Sequence, residues 1–312
     1  MTAAEQFHPR LARRRVWGRV FHAACLLAGI VAVVVLAVLL TQVASQGHQY
    51  VRWEFLQRPP SQLTPEKGGV KSAFWGTLWL MGLTTLLAVP TGVGAAVYLQ
   101  EYARPSRFTR LVHLNIANLA GVPSIVYGIL GLALFVRWLL GSRSVLAGAL
   151  TLSLLVLPVI IIAAREALLA VPQTIREAAY AVGATRWQTV RHHVLPAALP
   201  GILTGVILAL SRAIGETAPL IMLGALTLVR VAPGEWREEY TITLTGLWQW
   251  LTDALDSPFT AIPIQIYNWA GQPDDVFREL AAAGIVVLLA VLLSMNAVAA
   301  GIRAWQQRHK SW

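Results

Sequence analysis

Runs of about 18 or more apolar residues recur along this chain of 312 residues, and nothing else constrains its fold as strongly. Such a run is long enough to cross roughly 30 Å of hydrocarbon as a helix. Composition agrees: 56% of residues are apolar and 13% are charged, with a mean hydropathy of +0.59, whereas a soluble domain carries about 25% charged residues. The expected fold is therefore all-α and polytopic. Six transmembrane helices are predicted, at about 22–43, 73–99, 111–140, 145–169, 197–228 and 280–302. The third is long for one span and carries "AGVPSIVYG" at its middle. A proline there frees a carbonyl one turn back, which is tolerated at membrane depth only where protein or water satisfies it.

The first run follows "RLARRRVWGR". A cleaved signal peptide has an apolar region of only about 7–15 residues, so this longer run is read as a retained span, 22–43, behind a cytoplasmic basic arm, 1–21. Residues 44–72 then form an outer segment, 73–304 the main core and 305–312 a cytoplasmic tail. With the N-terminus inside, fifteen Lys and Arg fall on the inner side and nine on the outer, and Arg212 lies within a span. That bias puts both termini in the cytoplasm. The net charge of +10 is accordingly read as basic residues flanking spans beside membrane lipid, not as a nucleic-acid surface. The single cysteine, Cys25, excludes an internal disulfide framework and lies in an apolar run.

The longest outer loop, 229–279, contains "LWQWL" and "IPIQIYNWAGQP". It reads either as short surface helices bearing an interfacial aromatic belt or as a platform that meets an external partner.

One polar, basic stretch stands apart: "TIREAAYAVGATRWQTVRHHVLP", residues 174–196. The charge count places it in the cytoplasm. Thr174 with Glu177 and Thr185 with Gln188 have capping-box spacing, and Gly183 between them is a natural left-handed stop. Two helices meeting at a sharp bend are predicted. The first presents Ala178 and Ala179, small residues that allow close approach, and the bend presents Thr185, Arg186 and Trp187. Two caps around one glycine are too ordered for a plain solvated loop. A DNA-reading helix–turn–helix needs a separate soluble domain, and here some twenty residues are pinned between spans. A docking element for a cytoplasmic partner is favoured.

The same stretch resembles the EAA signature of ABC-importer permeases: EAA, three residues, Gly, nine residues, an aliphatic, one residue, Leu-Pro. Glu177, Ala178, Ala179, Gly183, Leu195 and Pro196 match in register, and His193 stands where the family usually has Ile. "LAGVPSIVYGILGLALF", "SRAIGETAPL" and "FTAIPIQIYNWAGQPDDVF" further resemble the A-type permease subunits of bacterial phosphate importers, from about residue 70 to the C-terminus. The resemblance implies a type I ABC-importer permease fold in the inner membrane. It implies a coupling helix seated on an ATP-binding subunit through Glu177, Ala178, Ala179, Gly183, Thr185, Arg186 and Trp187. The implied partners are a second, homologous permease subunit in a heterodimer, two copies of the ATP-binding subunit, which carry ATP-Mg, and a periplasmic phosphate-binding protein.

Arg212 and Glu216 are charges inside a span, which are costly there and usually face a polar pathway. Their i, i+4 spacing puts them on one helix face, continuous with Ala209, Gly205 and Gly201, small residues that let another helix approach. The pair is expected to point into a helix–helix interface, and Pro219 to open the helix beside it. Two roles stay open: an ion pair that locks two helices, or a fixed guanidinium that donates to a passing oxyanion. The resemblance supports the second, because the corresponding Arg and Glu lie on the pathway face in phosphate permeases. Asn115, Asn118, Ser124 and Tyr127, near the break at Pro123, are secondary pathway candidates, though hydrogen bonding between helices accounts for each as well. Arg165 and Glu166 end the fourth span, where snorkelling to the interface explains them.

The chain has no G-x-x-x-x-G-K-S/T phosphate loop, no H-E-x-x-H and no Cys/His cluster. His192 and His193 are adjacent and face different ways on a helix. Neither a catalytic site, nor a cofactor, nor a metal site is indicated in this chain, so energy must come from a partner or an ion gradient. A permease for another oxyanion or small solute remains an alternative, as does an ion-coupled secondary transporter. The latter would be expected to show an inverted repeat.

Overall fold

The computed structural model describes residues 11–225, 229, 231–235 and 243–308, with side chains from 14 to 304 of that set. Residues 1–10 of the basic arm, 226–228 at the expected end of the fifth span, 230 and 236–242 of the outer loop and 309–312 of the tail lie outside the described residues.

Thirteen α-helices run in the order α1 Leu11–Gly47, α2 Trp53–Gln57, α3 Lys71–Val97, α4 Arg107–Ala120, α5 Ser124–Gly131, α6 Val145–Leu169, α7 Gln173–Ala181, α8 Arg186–Thr189, α9 Leu195–Ile214, α10 Ala218–Leu223, α11 Leu244–Asp256, α12 Ile262–Ala270 and α13 Asp275–Arg308 among the described residues. Wider π turns extend α3 through Tyr98–Tyr102, extend α5 through Leu132–Leu140 and join α8 to α9 through Val190–Val194. The last of these has a local cause. Pro196 has no N–H and its ring crowds the carbonyl one turn back. Leu195 N–H instead donates to the Val190 carbonyl five residues earlier, and the widened turn lets the helix continue.

Among the described residues, five helices are long and apolar enough to cross a membrane. The expected third span is not one rod: α4 and α5 meet at 102° across Gly121–Pro123. The pair nonetheless carries the chain from one end of the bundle to the other. It starts just past Tyr102, whose ring lies under Arg186 of α8. It finishes at Ser142, which donates to Asp256 at the end of α11, with Val145 N–H donating to the Ser257 carbonyl. Six crossings follow among the described residues, five by continuous helices and one by the bent pair.

The core lies where α3, α6 and α9 pack together, around Ala88, Ile160, Ala164, Ile202, Val206 and Ala209. Small residues set the distance between α9 and α6. A Cβ on Gly201 would stand 2.8 Å from Ala167 Cβ, and one on Gly205 would overlap Ala163 Cβ, so the two backbones approach closely. By contrast, the apolar stretch of α1 is uncovered by the rest of this chain. The end of α1 touches α13, with Gly47 against the Ala283 backbone.

Two expectations are corrected. The fifth helix stops at Ile214 rather than running through Glu216, and α10 begins as a separate piece after Gly215–Thr217. Pro219 near the start of α10 has no N–H to offer the preceding turn. In the outer loop, α12 is not a surface helix: Ile262, Ile264, Gln265 and Trp269 are buried, between α3 and α13. Only α11 fits the interfacial reading, with Leu247 and Trp248 exposed and Trp250 turned inward onto Trp79.

Candidate functional site: a docking surface and a charged helix break

The stretch 174–196 folds as two helices around a glycine. Gly183 has φ +83, in the left-handed region that side-chain-bearing residues adopt only at a cost. The second cap forms as spaced: Thr185 Oγ1 accepts from Gln188 N–H, and Gln188 Oε1 accepts from Thr185 N–H at 2.8 Å. The first does not. Pro172 occupies the cap position and α7 begins at Gln173, so Thr174 already lies inside the first turn. Proline with extended ψ launches a helix without a side-chain acceptor, which leaves the Thr174–Glu177 box no role.

The outward face of this element is exposed. Glu177 and Ala178 open to solvent with Tyr180, Val182 (85% exposed) and Trp187 (59% exposed). Ala179 turns inward and is buried. Thr185 and Arg186 are exposed at the bend. Arg186 lies 5.4 Å over the Tyr102 ring, and Arg191 lies 6.0 Å from the Trp187 ring.

One residue of this element escaped the sequence reading. Arg176 counted there only as a positive charge. In the structure its guanidinium is buried against Glu101, with side chains 10% and 7% exposed. The pair is 75 residues apart in sequence, and no local pattern announces it. A buried pair that loses one partner destabilises by about 3–5 kcal/mol.

The second feature is the break after α9. Arg212 sits in the last turn of α9, where the helix dipole favours a cation. Its Nε donates to Glu216 Oε1 at 3.2 Å. The Arg212 side chain is 54% exposed and that of Glu216 is 16% exposed, so within this chain Arg212 is not enclosed between helices. Gly201 and Gly205 lie against α6, and the buried face of α9 continues through Ala209 and Ala213, so Arg212, one position before Ala213, falls beside that face and opens outward. Glu216 occupies only Nε, so the two terminal nitrogens of Arg212 have no partner among the described residues. Beside the break, Ser211 Oγ meets Asn296 Oδ1 of α13 at 2.7 Å.

The secondary candidates divide. Tyr127 is buried and its hydroxyl donates to the Leu119 carbonyl at 2.8 Å, tying α5 to the end of α4 across the bend. This bond satisfies a carbonyl at the break and gives Tyr127 a structural role. Asn115 is exposed and donates to the Leu111 carbonyl of its own helix. Asn118 is exposed and Ser124 is partly buried at the start of α5. Arg165 lies 3.6 Å from Glu166.

A bundle with a broken span, an exposed helix–turn–helix at one end and an intramembrane guanidinium has the features of a transport permease. The family described as "Binding-protein-dependent transport system inner membrane component" matches residues 88–310. The chain belongs to that family. It is 33% identical over 300 residues to "Phosphate transport system permease protein PstA 1" of Mycobacterium tuberculosis, covering 95% of this chain and 92% of the relative. It is 34% identical over 239 residues to "Phosphate transport system permease protein PstA" of Haemophilus influenzae, covering 76% and 77%. Its fold matches a chain of a bacterial alginate ABC transporter, crystallised with its alginate pentasaccharide-bound periplasmic protein. That match has a TM-score of 0.61 at 17% identity, covering 93% of this chain and 96% of the other.

Proposed function

We propose that this chain is a membrane subunit of an ATP-driven importer that moves inorganic phosphate into the cytoplasm. The observation that carries the substrate reading is the open guanidinium of Arg212 at the helix break. A charge left uncovered inside a membrane bundle is costly unless it faces water, a substrate path or a partner. A guanidinium never titrates away and presents a planar fork that matches phosphate oxygens. Likeness to the phosphate permeases supports the same substrate. Glu216 holds Nε and orients the fork while leaving the terminal nitrogens available.

The exposed face of α7 and α8 is the docking surface for the ATP-binding subunit, which carries the ATP-Mg and the hydrolysis. The uncovered apolar faces of α1 and α13 meet lipid and a second, homologous permease, which completes the path as a heterodimer. Two ATP-binding copies dock on the paired coupling elements, and a periplasmic binding protein delivers phosphate at the opposite end. Both chain termini are cytoplasmic.

Arg212→Ala is expected to abolish phosphate uptake in cells that express the assembled importer, and Arg212→Lys to restore little, because an ammonium lacks the fork. The double change Arg212→Ala with Glu216→Ala separates ligand from lock. A purely structural pair is often replaceable as a unit, so a lock predicts recovery. A ligand predicts a double variant that assembles with its ATP-binding subunit and still moves no phosphate. Near-normal uptake in that assembled variant would end the ligand reading.

A further inference from the structure

We infer that Glu101 and Arg176 are positioning residues that tie the docking surface to α3 and α6, so that movement of the ATP-binding subunit reaches the spans. The inference rests on the docking role proposed for α7 and α8. A guanidinium in α7 gathers the ends of two spans at once. Arg176 Nη2 donates to Glu101 Oε1 at 2.7 Å, and Nε donates to Glu101 Oε2 at 3.4 Å. Glu101 lies in the π-turn extension of α3. The same guanidinium donates from Nη2 to the Leu168 carbonyl at 3.0 Å and from Nη1 to the Val171 carbonyl at 2.9 Å. Leu168 is in the last turn of α6 and Val171 lies just past it. The last carbonyls of a helix lack intrahelical donors, so Arg176 caps α6 while it grips α3.

Besides the clamp, α7 is held inward by Ile175, half-buried against the core. Its only other buried residue is Ala179, which offers a methyl group and no interlocking shape. Around the ion pair the contact is open. A polar cavity of about 500 Å³ there is lined by residues that include Gln100, Pro172, Gln173, Tyr180 and Arg186. The following helix adds a second grip, Arg186 over the ring of Tyr102, so both halves of the docking element hold adjacent residues at the end of α3. A fork of directed bonds to three acceptor groups transmits a push or a rotation with little slack, and a single point charge does not. From α6 the contact continues through Ala163 and Ala167 to Gly205 and Gly201 of α9, the helix whose last turn carries Arg212. Loss of the clamp should therefore leave the ATP-binding subunit docked and hydrolysing while the spans follow it poorly.

The test uses the complete importer, this chain with its partner permease and ATP-binding subunits, reconstituted in liposomes. Glu101→Gln removes the charge and keeps the shape, and Arg176→Lys keeps the charge and removes the fork. Two quantities are read: phosphate accumulated per ATP hydrolysed, and the ATP-dependent change in hydrogen–deuterium exchange at the ends of α3 and α6. Both variants are expected to assemble and hydrolyse ATP, with phosphate per ATP lowered at least tenfold. The ATP-dependent exchange change should be confined to α7 and α8. Assembled variants with the wild-type ratio and the wild-type exchange response would overturn the inference. So would failure of both variants to retain the ATP-binding subunit, which would reduce the pair to a folding role. A wild-type complex that moves no phosphate would sink the substrate reading instead, and the exchange response would still decide the clamp.

Discussion

At the residue scale, Gly183 tests the docking element most directly. Its φ of +83 is required by the bend, and an added Cβ would meet nothing within 4 Å. Any penalty there is backbone strain and not a clash. A left-handed conformation costs a side-chain-bearing residue roughly 1–2 kcal/mol, less for Asn, which tolerates it. Gly183→Val should misplace α8, lower recovery of the ATP-binding subunit with the purified membrane chains and cut uptake several-fold. Gly183→Asn should retain most of both. Equal behaviour of the two variants would show that the left-handed bend does not matter for docking. The glycine was legible in the sequence because a left-handed stop has few alternatives. The Thr174 cap was not, because Pro172 starts α7 without a side-chain acceptor. Nor was the Arg176–Glu101 pair, which depends on how α3 and α6 end and on nothing local to either residue.

At the scale of elements, the short pieces that follow the two helix breaks meet one another. α5 and α10, the short pieces beyond the breaks, pack at Gly128. A Cβ on Gly128 would stand 2.7 Å from Pro219 Cα and 2.8 Å from Met222 Cβ. Pro219 O also lies 2.8 Å away, and the two Pro219 atoms are backbone that cannot swing aside, so Gly128→Ala overpacks the contact at about 1–3 kcal/mol. The melting temperature of the assembled complex should fall and uptake should fall with it. Gly82→Ala, on α3 with open space around the new methyl, should leave the melting temperature unchanged or raised, since alanine favours helix over glycine. A Gly128→Ala complex as stable as the Gly82→Ala control would refute the packing argument. These elements also mark where sequence reasoning stopped. Pro123 signalled a weak point, but a 102° turn depends on what α5 packs against. Past Thr217 the chain stays apolar, so the end of α9 left no change in composition to read. The aromatic-rich α12 looked interfacial because tryptophan and tyrosine suit a membrane surface and a protein core alike.

At the scale of the whole molecule, the paired ends of the helices define two faces, and their assignment to the two sides of the membrane rests on charge. One face carries α7, α8 and the clamp at Glu101. The opposite face carries α11, the Lys71–Glu235 pair at 2.6 Å and the Ser142–Asp256 contact. The excess of Lys and Arg lies with the first face, and on that ground we propose that it is the cytoplasmic one. Reaction with an impermeant thiol reagent checks this, with Cys25 replaced by Ser in every variant. Val182 and Gln249 are exposed on opposite faces, and neither side chain makes a hydrogen bond among the described residues. A cysteine at either place should therefore leave the fold intact. In intact cells Gln249→Cys should label and Val182→Cys should not. In opened membranes stripped of peripheral subunits, Val182→Cys should label as well, which shows that its earlier silence reflects the bilayer and not burial. The reverse pattern would invert the molecule. It would place the coupling surface outside, where no ATP-binding subunit could reach it, and the proposed import mechanism would fall with the topology.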